Sequence, residues 1–143
     1  MSGAVAVDTS VRTWGDLIAD ARTLLQDKTP TSGSRLRYSD AEMFEAINRM
    51  LIEVRMRRPD FFINAFGRRS LRRVLPFYSA ARDMRTPFPL DLICYPAFVH
   101  YLVGSAEMRE DTFADSGRAQ ASLASAMLAL STATPPPSAP ARG

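Results

Sequence analysis

The sequence predicts a mainly α fold: a small four-helix bundle with an extended, Arg-rich middle arm and a Pro-rich C-terminal tail. Three observations predict it. Apolar residues recur at helical spacing in four separate stretches, capping sequences stand ahead of three of them, and prolines cluster between and after the helical stretches. At 143 residues, with 46% hydrophobic and 23% charged residues, the chain has the composition of a globular protein and the length of one domain. A domain this size hides roughly two-thirds of its unfolded-chain surface, enough for one core.

Residues 1–12 are small and polar without periodicity and read as a flexible leader, and the helical domain is expected over 13–130. Thr13-Trp-Gly-Asp16 is a capping-box-like start in which Asp stands where Glu is commoner. Leu17, Ile18, Ala21, Leu24 and Leu25 then follow at helical spacing, a first helix of about 12 residues. It stops among the turn-formers around Pro30 and Gly33.

Ser39-Asp-Ala-Glu42 is a fuller capping box, in which the Ser39 hydroxyl accepts from the Glu42 amide and the Glu42 carboxylate reaches back to the Ser39 amide. Asp40 and Glu42 suit the positive end of a helix dipole, and Arg55, Arg57 and Arg58 the negative end. Met43, Ile47, Met50, Leu51 and Val54 form the apolar stripe between them. Pro59 pushes the residue before it out of helical geometry, so the second helix spans about Asp40 to Arg57.

From Pro59 to Pro89 the apolar residues, Phe61, Phe62, Ile63, Phe66, Leu71, Val74, Leu75, Phe77 and Tyr78, match neither helical nor alternating spacing. Prolines at 76, 87 and 89 break any long element, so 59–89 reads as an extended arm that could hold a short β-hairpin. A third helix is expected from about Leu92, or from Pro96 as an N1 proline, to Glu110, with Gly104, Ser105 and Ala106 admitting a close neighbour. Thr112-x-x-Asp115 caps a fourth, thin, Ala- and Ser-rich helix ending near Leu130. Residues 131–143, with Pro135, Pro136, Pro137 and Pro140, form a low-complexity tail that cannot build a core.

Charge is unevenly distributed. The net charge is +3, and the 18 basic residues comprise Lys28 and arginines. Residues 49–85 hold ten arginines against Glu53, Asp60 and Asp83, a local net of +7, which leaves 8 basic and 12 acidic residues, a net of −4, for the rest. Arginine supplies planar, bidentate cations suited to ordered interfaces or phosphate contacts, although a GC-rich genome produces the same bias.

No catalytic constellation emerges. Cys94 has no second cysteine to pair with, and Cys94 with His100 falls short of a four-ligand zinc site. His100 lies inside an apolar helical stretch without a nucleophile-elbow glycine pattern, and Cys94 beside Ile93 and Tyr95 reads as a small buried hydrophobe. There is no phosphate-cradling Gly-rich loop, no HExxH and no calcium loop, so the chain reads as a non-enzyme without cofactor or metal. No signal-peptide pattern opens the sequence, and the most apolar stretch, Leu90 to Gly104, is too short to span a bilayer, so a soluble protein of a reducing cytoplasm is expected.

Three readings of the basic middle compete: a nucleic-acid patch, with Arg68, Arg69, Arg72 and Arg73 on phosphates and Phe66 or Tyr78 stacking; a protein interface; and a solvated loop. The arginines are interleaved with Phe, Leu and Val, which favours the protein interface.

The order of motifs resembles a known family. Leu24-Leu-Gln-Asp27, a short polar loop, Arg37-Tyr-Ser-Asp-Ala-Glu42, Ala46-Ile-Asn48, Glu53-Val-Arg55 and Arg58-Pro-Asp60 are similar to the N-terminal half of the head-to-tail adaptor (connector) proteins of tailed bacteriophages. Leu90-Asp-Leu through Tyr95-Pro-Ala-Phe-Val-His-Tyr-Leu102, an acidic break and a thin alanine-rich helix are similar to its C-terminal half, so the resemblance covers about Trp14 to Leu130. Family members often have a longer middle region with a fuller β element.

The resemblance implies a structural virion protein, assembled in the host cytoplasm and placed in the head–tail neck. There a dodecameric ring binds the portal protein, meets a tail or nozzle protein, and passes DNA through its lumen without specific binding. By position, Pro59 to Arg85 is the segment that reaches a neighbour, and Thr132 to Gly143 a portal-docking segment. Candidate contacts are therefore Arg55, Arg57, Arg58, Phe61, Phe62, Arg68, Arg69, Arg72, Arg73, Arg82, Arg85, Pro135, Pro136 and Pro137, with Thr13, Ser39, Glu42 and Thr112 as helix caps. The alternative is a small Arg-rich DNA-binding protein of packaging or regulation.

Overall fold

Four long helices and two short ones build the protein, as a computed structural model describes it over residues 12–25, 38–69, 75–109 and 116–134. They are α1 (Trp14–Leu25), α2 (Asp40–Arg57), α3 (Pro59–Phe66), α4 (Ala80–Asp83), α5 (Tyr95–Arg109) and α6 (Ser116–Thr132), with a 3-10 turn (Leu92–Cys94) leading into α5. The fold is a mainly α bundle.

The capping residues set the helix starts. Thr13 and Asp16 bond reciprocally: the Asp16 amide donates to the Thr13 hydroxyl at 3.1 Å, and the Thr13 amide donates to the Asp16 carboxylate at 2.9 Å. The Ser39 hydroxyl accepts from the Glu42 amide at 3.1 Å, and α2 spans the residues that the capping box and Pro59 delimit. At the 3-10 turn it is Asp91 whose carboxylate accepts from the Ile93 amide, at 3.0 Å. The Thr112 cap lies outside the described residues.

α5 is the central post. Ala97, Phe98, Val99, Leu102, Val103 and Ala106 are all buried, because α1, α2 and α6 pack around it. An apolar residue on nearly every side leaves such a helix little amphipathic stripe. α6 approaches it closely, and a methyl group on Gly104 would stand 2.7 Å from Leu123 Cγ and 3.0 Å from the Leu123 backbone nitrogen. The α1 end of the core is aromatic: Trp14 has its ring centroid 5.0 Å from Tyr78, 5.2 Å from Phe88 and 5.8 Å from Phe98.

The arm differs from the expectation at its start. Residues 59–66 are helical, not extended, with Pro59 opening α3 and Gly67, at φ 84°, ending it. Pro59 lacks the N–H that a first helical turn leaves unpaired, so it ends α2 and starts α3 at once. The hairpin is also corrected: no strand occurs among the described residues, which contain one isolated antiparallel bridge, Thr13 to Pro87. Through it the return segment satisfies amides at the start of α1, with Trp14 donating to Thr86 O at 3.0 Å and Gly15 to Met84 O at 2.9 Å.

Candidate protein-binding surface

The described part of the middle segment is anchored to the helices by polar clips, while most of its arginines stay exposed. Asn48 on α2 holds the backbone of Tyr78. Asp83 on α4, only 6% exposed, accepts from the Ser79 amide at 2.8 Å, the Thr86 hydroxyl at 2.9 Å and Arg82 at 3.1 Å. Burial pushes the Asp83 carboxyl up, but these hydrogen bonds outweigh it, so it titrates below the ordinary value of 3.8. Three arms of the fold, 75–79, α4 and 84–88, are thereby tied to α1 and α2.

Three of the expected partner contacts serve the core or its joints instead. Phe61 and Phe62, at 1% and 0% exposure, sit in the hydrophobic core because α3 turns both rings inward. Arg58 is spent within the chain. Its guanidinium bonds Asp60 at 3.0 and 2.8 Å, donates to the carbonyls of Leu130 at 2.9 Å and Ala133 at 2.6 Å, and lies 4.3 Å from the Phe61 ring centroid. A planar fork can serve a carboxylate and a helix C-terminus together, and here it neutralises the carbonyl end of α6. The hydrogen bond from Arg58 holds the Asp60 carboxyl below its usual range, and the same bond raises Arg58.

The remaining arginines face outward to different degrees. Arg57 is exposed and pairs with Glu53 one turn earlier at 2.8 Å; Arg55 is half-buried. Arg82 bonds Asp83 and, at 2.7 Å, the Phe77 carbonyl, yet its side chain remains 67% exposed. Arg68 and Arg69 are exposed just past Gly67, as is Arg85 beyond α4. Arg72, Arg73, Pro135, Pro136 and Pro137 lie outside the described residues. The two rings suggested for base stacking are engaged elsewhere: Phe66 packs on Phe62 at 4.8 Å, and Tyr78 on Trp14.

Cys94 is wholly buried, and burial pushes its thiol up to about 12, which makes a thiolate nucleophile unavailable at neutral pH. His100 is half-buried on α5. Among the described residues no cluster of His, Cys, Asp and Glu is placed to hold a metal ion, and no helix is long and apolar enough to cross a membrane.

One concavity has no counterpart in the sequence reading. A groove of about 480 Å³ runs between α2, α5 and α6, with Tyr101, Met108, Leu123 and Met127 as its floor. Arg49, Glu53 and Arg57 form one rim, so its charged edge is net positive. No family model, curated protein or solved structure matches the chain. Outside the groove, Ile52 and Met56 on α2 and Leu128 on α6 are 40%, 72% and 65% exposed. The signal for this exposure was present in α2, where Ile52 and Met56 stand off the apolar stripe one turn apart.

Proposed function

We propose that this chain is a head-to-tail adaptor of a tailed bacteriophage, a structural virion protein whose copies form a dodecameric ring that binds the portal and connects it to the tail. The observation that supports this reading is where the motifs resembling that family's fall. Ser39 caps α2, and Asp40 takes Arg22 of α1 at 2.5 Å. Asn48 clips the returning arm, and the Arg58-Pro-Asp60 string holds the end of α6. Arg22–Asp40, Asn48 and Arg58-Pro-Asp60 each tie one element to another, which supports reading these strings as parts of one particular assembly of helices.

A rigid wedge with capped, mutually braced helices suits a ring subunit, since its contacts must repeat without distortion around a closed circle. Exposed apolar residues on α2 and α6 next to arginines suit protein contacts, where arginine and methionine are enriched. DNA passing through a ring would be slowed by tight Arg–phosphate contacts, so most of these arginines face protein in this reading. Individually weak subunit contacts multiply around a ring, so assembly is expected on the portal.

The test is to mix the purified chain with the portal protein of its own phage and image the particles. Added density beneath the portal, with one subunit per portal subunit, is expected; an unchanged portal ring at saturating concentration overturns the reading. The DNA-binding alternative rests on exposed Arg68, Arg69 and Arg85. It requires binding in the micromolar range that falls by orders of magnitude between low and moderate salt.

A further inference from the structure

The groove has a counterpart on the same molecule. On α1, Asp16, Asp20 and Leu24 follow one another at four-residue spacing and are all exposed, Leu24 by 50%. The Tyr95 hydroxyl donates to Asp20 at 2.5 Å, which brings the start of α5, and the 3-10 turn before it, against α1. That turn adds exposed Asp91 and the side chains of Leu92 and Ile93, each 38% exposed. Arg12 lies at the edge of this face and leaves it net negative. The result is an acidic α1 face that ends in exposed Leu24, with the exposed 3-10 turn leading into the helix that Tyr95 ties to it.

We propose that this α1 face of one copy docks in the α2–α5–α6 groove of a second copy. Charge and shape both select it. The groove offers an apolar floor edged by Arg49 and by Arg57, whose charge is shared with Glu53, and the α1 face offers Leu24 flanked by Asp20 on a helix of 12 residues, about 18 Å long. Leucine against the methionines of the floor removes apolar area from water, while carboxylates meet guanidiniums at the rim, where partial exclusion of solvent strengthens the pairing.

The two surfaces are different parts of the molecule. The α1 face and the groove share no lining residue, and Tyr95 and Met108 stand about 20 Å apart along the α5 axis. Each bound copy therefore still presents a free surface of each kind, and association continues until the rotation closes it. The contact deepens the ring reading by naming its two faces, and it is tested without a portal.

Cysteine trapping reads the contact directly, because buried Cys94 does not compete for oxidant. Full-length Leu24→Cys and Met108→Cys variants are mixed at about 100 µM, a concentration that populates even weak complexes, and oxidised. A disulfide-linked dimer is expected, in yield about fivefold above a Leu24→Cys and Phe77→Cys mixture, because Phe77 is 67% exposed but stands outside the groove. Equal yields, or none, overturn the proposal.

Charge exchange gives a second readout that keeps the native apolar surface. By light scattering, Arg49→Glu and Asp20→Arg alone each weaken wild-type self-association by about tenfold, as does raising the salt, and mixing the two variants restores it. Failure of the mixture to recover overturns the assignment. Portal density without trapping would leave the adaptor reading standing and remove this contact, and trapping without portal density would do the reverse.

Discussion

Asn48 and Tyr78 form a two-way clip: the Asn48 side-chain amide donates to the Tyr78 carbonyl at 2.8 Å and accepts from the Tyr78 amide at 3.0 Å. The side chain thus behaves as a strand neighbour would, satisfying both backbone groups of a residue that has no sheet to join. The returning arm needs no regular structure of its own because one asparagine on α2 supplies both bonds.

Replacing Asn48 by Ala leaves both Tyr78 backbone groups without that partner in a half-buried place. We expect a loss of about 2 kcal/mol, read as a lower urea midpoint. Faster amide exchange at Tyr78 with little change at Met50 would localise the effect to the arm.

Arg58→Lys keeps the charge but not the fork. An ammonium cannot hold Asp60 and the carbonyls of Leu130 and Ala133 in one plane, so Arg58→Lys is expected to lose about 1–2 kcal/mol and Arg58→Ala somewhat more. Fraying of the last turn of α6, measured by amide exchange, should accompany it. Equal stability of Arg58→Lys and the wild type would refute the bidentate role.

Gly104→Ala drives a methyl group into Leu123. The backbone nitrogen 3.0 Å away limits how far the side chain alone can relieve the clash, and a cost of about 1–3 kcal/mol is expected. Leu123→Ala in the same chain removes the 2.7 Å contact but not the backbone one, so the double variant should recover part of the loss. Full additivity of the two losses would contradict the close approach of α5 and α6.

Acid should loosen the joints that Asp83 and Asp60 hold. Asp83 and Asp60 both titrate below 3.8 in the folded chain, so their contribution is fully present above that value and is lost as the pH falls through the lower folded values. The urea midpoint is expected to drop steeply below about pH 4, and Asp83→Asn, already less stable at neutral pH, should show a shallower fall. An identical acid slope in the two proteins would remove Asp83 from the account.

Local physics made much of this fold legible. α2 could be bounded from Ser39 and Pro59 because a cap and a proline act within their own turn, and the same holds for the Thr13 start of α1. α3 departs from the extended segment expected over 59–89. Phe61, Phe62, Ala65 and Phe66 do repeat at helical spacing, but over eight residues the period is too short to stand out.

What lay beyond the sequence were the long-range relationships. Residues 49–85 carry ten arginines whether or not the chain folds, and their local excess of charge can be counted directly. Which of them are spent inside depends on a proline that bends α3 back over the core and sets Arg58 beneath the end of α6, 72 residues away in the chain. The groove arises in the same way, since it joins α2 to the consecutive helices α5 and α6 far along the chain and its existence depends on the spacing between them. Helix starts and charge are properties of neighbouring residues, and the sequence by itself determined them. Burial, pairing and concavity are properties of packing, and tertiary structure alone decided them.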